Sequence, residues 1–144
     1  MKYQTIVDKE REEEVLIYVH QKNEASQKIE AFVSGLSTEL YGYRDKISVR
    51  LSPSEIQCVT IQDGKSFAMT QDETYQLKER LYMLEDVLGD SFLKINQSCI
   101  ANIHKIKKFD ATFSGALLVI FQNGYRDYVS RRRLKAVKER IGFL

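Results

Sequence analysis

Apolar and polar positions along the chain follow two periods, and each period marks its own set of elements. Between Lys46 and Leu51, apolar Ile47, Val49 and Leu51 alternate with polar Lys46, Ser48 and Arg50, which predicts a half-buried strand closed by Pro53. Ile56–Gln62 and Lys65–Thr70 read as two strands joined by a tight turn at Asp63-Gly64. Phe92–Asn96 predicts a further strand, with Leu93 and Ile95 on one side, and Cys99–His104 is a short apolar run of ambiguous type. Ile106–Phe113 and Ala116–Phe121 predict a hairpin through Ser114-Gly115. Tyr125–Val129 returns through Asn123-Gly124, whose composition suits a type I′ turn with φ > 0 at both central residues. Nearer the start, Lys2–Val7 predicts a short strand, Glu10–Glu14 a charged connector, and Val15–His20 a strand rich in β-branched and aromatic residues.

The helical period appears three times. Ile29, Phe32, Val33 and Leu36 form one stripe, preceded by Asn23 as a cap and weakened by Gly35. Leu77, Leu81, Leu84 and Leu88 form another, in a helix expected to run from Asp72 to the stop at Gly89. Leu134, Val137 and Ile141 form the last, with Ser130 placed to cap the helix through its hydroxyl and Gly142 just past its end. The reading is a mainly β (α+β) protein. Residues 1–45 are expected to form a small strand–helix–strand extension suited to dimerisation or partner docking, and residues 46–144 the principal β-rich domain.

Composition narrows the class. A 43% hydrophobic share is enough for a core in 144 residues, and a 29% charged share with a single proline argues against disorder. No apolar run approaches the length of a membrane span, and the N-terminus lacks the apolar region of a signal peptide, so a cytoplasmic protein is expected. Cys58 and Cys99 lie in apolar strand-like contexts and read as buried free thiols. Net charge is only +2, but residues 1–90 hold 11 basic against 17 acidic side chains, whereas residues 91–144 hold 11 against 3. Such asymmetry points to a polyanionic partner.

No catalytic chemistry is called for. The sequence has no nucleotide-binding glycine pattern, and its two histidines (His20, His104) and two cysteines are too scattered for a zinc site. No enzyme, metal or cofactor is expected. The polar chemistry that remains suits nucleic acid, since Lys and Arg neutralise phosphates while Arg, Lys, Asn and Gln read base edges. These residues gather at Lys65-Ser66, at Asn96-Gln97-Ser98 with Asn102 and His104, and at Ser130–Arg133, with further charge from Lys105, Lys107, Lys108 and Arg126. Arg131, Arg132 and Arg133 open a helix, where the macrodipole disfavours cations by a few tenths of a kcal/mol each. A polyanion laid against that helix start offsets the cost. The competing readings are a merely solvated basic face, and a protein-interaction or antagonist module whose basic face docks an acidic protein or anionic membrane. RNA binding is disfavoured because Phe92, Phe121, Tyr125 and Tyr128 read as core rather than stacking residues.

Three blocks in order, F-L-K-I-N-Q-S-C-I-A-N-I-H-K-I, G-A-L-L-V-I-F-Q-N-G and Y-V-S-R-R-R-L-K-A-V-K-E-R-I-G, resemble the LytTR family of bacterial DNA-binding domains over roughly residues 46–143. The resemblance implies antiparallel β-sheets with short helices, no helix-turn-helix, and loops entering successive grooves of duplex DNA, on repeated sites. Carried over by position, it implies base contacts from Lys65 or Ser66, from Gln97 with Asn96 beside it, and from Arg132. Phosphate contacts are expected from Lys105, Lys107, Lys108, Arg126, Arg131, Arg133 and Lys135. Ser98 and Asn102 match structural positions of the motif. Many relatives carry a basic pair where this chain has Asn96-Gln97, so its middle contact brings no charge. The first 45 residues are too short for the receiver domain that many relatives carry. This layout resembles stand-alone regulators, for which a homodimer and a restraining small membrane protein encoded nearby are the expected partners.

Overall fold

A computed structural model describes residues 1–36, 39–112 and 115–142. Its order is α1 (Glu24–Leu36), β1 (Leu40–Arg44), β2 (Ile47–Leu51), β3 (Cys58–Gln62), β4 (Lys65–Met69), β5 (Thr74–Leu77), α2 (Leu81–Leu88), β6 (Phe92–Asn96), β7 (Cys99–Asn102), β8 (Ile106–Ala111), β9 (Leu117–Phe121), β10 (Arg126–Val129) and α3 (Arg131–Ile141). Seven strands make one antiparallel sheet in the order β2-β1-β5-β4-β3-β7-β6, and three make a second in the order β10-β9-β8.

The large sheet is covered on both faces. Val59, Ala68, Leu77 and Ile100 turn to one side and pack with Leu81, Leu84 and Leu88 of α2. Cys58, Cys99 and Ala101 turn to the other and pack with Leu117, Val119 and Phe121 of the small sheet and Val137 of α3. This two-sided burial explains why Cys99–Asn102 reads ambiguously in the sequence. All four residues of β7 are buried, so the alternation that marks a half-exposed strand is missing.

Several expectations change. The helix expected from Asp72 to Leu88 is divided: Thr74–Leu77 is strand β5, and the helix begins only at Leu81. Leucines four apart suit a helix, but Leu77 reaches the same core from a strand. The backbone of β5 is needed there to link β1 to β4. Residues 1–23 form no regular element, so the strands expected at Lys2–Val7 and Val15–His20 are absent. Their composition favours strands, yet among the described residues no neighbouring strand pairs with them. α1 is present as expected, with Asn23 capping it through Oδ1, 2.8 Å from the Ser26 amide. β1 is no part of a separate extension: it is an interior strand of the large sheet, paired with β2 on one side and β5 on the other.

The turns divide in the same way. Asp63 and Gly64 both have positive φ (51° and 75°), as the I′ reading requires. At Asn123-Gly124 only Gly124 is left-handed, at φ 89°. Gly124 N–H donates to the Phe121 carbonyl and Phe121 N–H to that of Tyr125, which makes a three-residue loop with glycine at its left-handed position. Asn123 is held in this form by the body of the protein: its amide N–H donates to Gln57 Oε1 at 3.2 Å and its Nδ2 to the Thr70 carbonyl at 3.1 Å. Part of the expected Ile106–Phe113 strand and of the Ser114-Gly115 turn, at Phe113 and Ser114, lies outside the described residues.

Gly42, inside β1, has no room for a side chain. A Cβ there would lie 2.5 Å from Tyr75 Cβ and 2.7 Å from Leu51 Cδ1. Gly42→Ala is therefore expected to cost about 1–3 kcal/mol through overpacking. A melting curve would register this as a fall of several degrees in Tm; an unchanged Tm would show that β1 and β5 can separate freely.

Candidate nucleic-acid interface

The three polar points of the sequence converge on one end of the large sheet. Lys65 stands at the tip of the β3–β4 hairpin, where it pairs with Gln62 across the turn. The Gln97-Ser98 turn joins β6 to β7 beside it, because Ile61 N–H of β3 donates to the Ser98 carbonyl at 2.9 Å. The start of α3 comes to the same place from the small sheet. Ser130 N–H donates to the Ile95 carbonyl at 2.9 Å, and Arg133 Nε donates to the Lys94 carbonyl at 2.8 Å. Lys65, Gln97, Arg131 and Arg132 are exposed there.

Asn96 and Asp127 join the two sheets. Asn96 Nδ2 donates to Asp127 Oδ1 at 3.0 Å and to the Tyr128 carbonyl at 2.8 Å, while its Oδ1 accepts from the Ser98 amide at 2.8 Å. Asp127 accepts in addition from the Tyr128 amide at 2.8 Å and from the Tyr125 hydroxyl at 3.4 Å. Burial, with the Asp127 carboxylate beside it, pushes the Tyr125 phenol above its ordinary value. The Cys99 thiol is pushed up as well, first by its hydrogen bond with Cys58 and then by burial. Both cysteines are free and buried, as the sequence suggests, and Cys99 is held in the protonated, unreactive form.

Some expected contact residues are placed elsewhere. Ser66 is 5% exposed and lies between Ile61 and Leu77 in the neighbouring strands, whereas Lys65 is exposed at the hairpin tip. The Asn96 amide is occupied by the junction with Asp127. Arg133 is half-buried and its Nε is committed to a carbonyl. Lys105 sits at the opposite end of the sheet, where its carbonyl accepts from the Gln122 amide. Asn102 is buried, with its Nδ2 on the Ile56 carbonyl at 2.9 Å and its Oδ1 accepting from the His104 amide, which is the structural role its motif position implies. Lys108 and Arg126 are exposed on strands either side of β9, both in register with Ile120, and Lys107 is exposed at the β8 bulge. Lys135 is exposed one turn beyond Arg131.

Ser130 takes the N-cap position in extended geometry, but its side chain makes no capping bond. The expected hydroxyl cap is absent; the Arg133 amide donates instead to the Ser130 carbonyl at 3.0 Å, which leaves the amides of Arg131 and Arg132 facing an outside acceptor. At the far end Gly142 adopts the left-handed cap, φ 70°, as its position suggests.

Sequence reading missed two cations at the same end. Ser66 pairs with Leu77, so Lys78 follows directly beside the Lys65 tip, and Lys65, Lys78 and Arg80 line one groove of about 550 Å³. Lys78 Nζ lies 4.8 Å from the centre of the Tyr43 ring. Assigning 72–88 to one helix hid both. The signal available was the pair Thr74-Tyr75, strand formers at the start of that segment. Among the described residues no cluster of three or more His, Cys, Asp or Glu could hold a metal.

A β-rich domain that sets a lysine hairpin tip, an amide-bearing turn and an arginine-rich helix start side by side has the form of a DNA-binding domain that reads through loops rather than paired helices. Comparison with known proteins identifies it further. The LytTr DNA-binding domain family matches residues 46–142, so the chain belongs to the LytTR family. It is 32% identical over 135 residues to an uncharacterized HTH-type transcriptional regulator of Staphylococcus aureus strain MSSA476, covering 92% of each chain. A protein of the same description from strain NCTC 8325 is 31% identical over 134 residues, covering 92% of this chain and 91% of that one. Among solved structures, the LytTr DNA-binding domain of a methyl-accepting/DNA response regulator from Bacillus cereus superposes with a TM-score of 0.70 at 22% identity, over 74% of this chain and all of that one. The relatives are described as HTH-type, but among the described residues no two helices follow one another without an intervening strand.

Proposed function

We infer that the protein regulates bacterial transcription by binding duplex DNA with sequence specificity. The DNA-binding family and the description of the relatives as transcriptional regulators both support this. The observation that carries the reading is the convergence of Lys65, Gln97 and Arg132, exposed, at one end of the sheet. In this reading Arg132 and Lys65 contact base edges as donors, and Gln97 serves as both donor and acceptor. Arg131 and Lys135 clamp phosphates along α3. Lys107, Lys108 and Arg126 extend the phosphate track over the small sheet, and Lys78 and Arg80 extend it past the hairpin tip. Ser66, Asn96, Arg133 and Lys105 act in support of the fold. The site of action is the cytoplasm. Restraint by a small membrane protein remains part of the proposal on resemblance alone; native co-purification of such a partner is its test. No feature of the basic face favours an acidic protein or an anionic membrane over DNA.

Affinity selection from random duplex DNA at near-physiological salt tests the function. Enrichment of one repeated motif is expected. A flat selection with only salt-sensitive binding would reduce the face to a general anion surface. The phosphate track has its own check: removing one true phosphate contact, as in Lys108→Ala, is expected to lower the slope of log K against log salt by about 1 while leaving sequence preference unchanged. An unaltered slope would place Lys108 off the DNA.

A further inference from the structure

The DNA-reading end leaves the N-terminal segment unused, and that segment is the least satisfied part of the molecule. Tyr3 is 96% exposed and Tyr18 89%, and Ile6, Val7, Val15 and Leu16 are exposed with them. Val15–His20 has the β-branched and aromatic composition of a strand, with apolar side chains on both of its faces. Among the described residues no strand pairs with it.

The large sheet has a matching vacancy. β2 is its edge strand, bonded to β1 on one side only. Ile47 on that edge is 64% exposed, and exposed edges of this kind invite another strand. Beyond Leu51 the edge runs into a cleft of about 1030 Å³ walled by Phe32, Leu51, Leu88 and Phe92. The cleft also carries Lys28, Arg50, Lys105 and Arg140 beside Glu55 and Asp90, with Lys28 and Arg50 in exposed ion pairs to Glu24 at 3.2 Å and Glu39 at 2.9 Å.

We propose that two copies of this chain dimerise by strand exchange, Val15–His20 of one copy adding antiparallel to the open edge of β2 in the other. Charge sets the direction. Asp8–Glu14 holds five carboxylates against two cations. Antiparallel pairing carries those carboxylates past Leu51 toward the lysine and arginine side chains of the cleft, where the exposed pairs of Lys28 and Arg50 can exchange partners; parallel pairing would carry them away from it. The same direction sets Val15, Ile17 and Val19 along Leu51, Val49 and Ile47, apolar against apolar. Val15–His20 and the β2 edge satisfy each other reciprocally in two copies, so the assembly closes. A different partner would satisfy one and leave the other open. The inference stands on the N-terminal segment and β2, and does not depend on which residues touch DNA.

Sedimentation equilibrium of the intact wild-type chain is the primary test: a dimer is expected, and a monomer throughout the accessible concentration range overturns the proposal. Location is tested by mixing two separately made variants, Ile17→Cys and Val49→Cys, under mild oxidation. The native thiols are buried, so a disulfide-linked heterodimer formed only in the mixture shows the segment on the partner's β2 edge. Covalent dimers of Ile17→Cys alone, with none in the mixture beyond them, would show the segments pairing with each other and overturn the edge assignment. Ile17→Glu is expected to weaken association by about tenfold or more, because it puts a carboxylate on an apolar strand pair. Its circular-dichroism melt should match that of the wild-type monomer.

Discussion

Arg132→Ala is expected to weaken binding to the cognate duplex by about 1–3 kcal/mol, which is about 5- to 150-fold in Kd, and to relax discrimination at one base position. The expectation rests on placement. Arg132 is exposed in the first turn of α3, and that turn is pinned to β6 by the Ser130 amide on the Ile95 carbonyl and by Arg133 Nε on the Lys94 carbonyl. The guanidinium is therefore presented from a fixed backbone, which limits the entropy lost when it forms a bidentate pair with guanine. The uncapped amides around it favour an anion at the same place. Titration of the variant on selected and scrambled duplexes at one salt concentration separates the outcomes. A loss confined to the selected site marks a base contact. An equal loss on both would make Arg132 a phosphate clamp, and the specificity would pass to Lys65 and Gln97. The fold should not change, because the Arg132 side chain is exposed and lies outside both core clusters.

Asp127→Ala is expected to do the opposite: to damage the fold first and the binding through it. The carboxylate accepts from Asn96 Nδ2, from the Tyr128 amide and from the Tyr125 hydroxyl at a half-buried junction. A buried donor left without an acceptor costs about 1–3 kcal/mol; with three donors, discounted for access of water to the half-exposed ones, a total of about 2–4 kcal/mol is reasonable. Denaturant unfolding would show it as a lower midpoint with an unchanged slope. DNA affinity should fall as well, even in the folded fraction, since Asn96 orders the Gln97-Ser98 turn through the Ser98 amide. Asp127→Asn keeps one acceptor oxygen and should recover part of both losses. If Asp127→Ala left stability unchanged, the junction would be water-tolerant and the turn would be held by the β6–β7 pairing alone.

The two substitutions separate an exposed group proposed to read bases from a half-buried group that positions the surface around it. Only the first was visible in the sequence. Arg132 stands in an anomalous run of three arginines at a helix start, and its residue type alone suggests an anion partner. Asp127 is one of only three acidic residues among the last 54, yet nothing local distinguishes it from a solvated carboxylate on a strand. Its importance comes from Asn96, 31 residues earlier and on the other sheet.

What the sequence by itself determined is the inventory of locally stabilised pieces and the family. The alternation of Ile47, Val49 and Leu51, the Asp63-Gly64 turn with both residues left-handed, the stripe and glycine stop of α3, and the unequal charge of the two halves all depend on neighbours a few residues away, and all are legible without a fold. Tertiary structure decided the rest. Leu77 entered a strand because the sheet needed β5 between β1 and β4. Ser66 turned inward because its strand neighbours are apolar. Asn96 was drawn into the sheet junction because Asp127 lay within hydrogen-bond reach across the sheets. Val15–His20 has every local property of a strand and forms none, because a strand is completed only by hydrogen bonds to a partner, and the described residues of its own chain do not supply one.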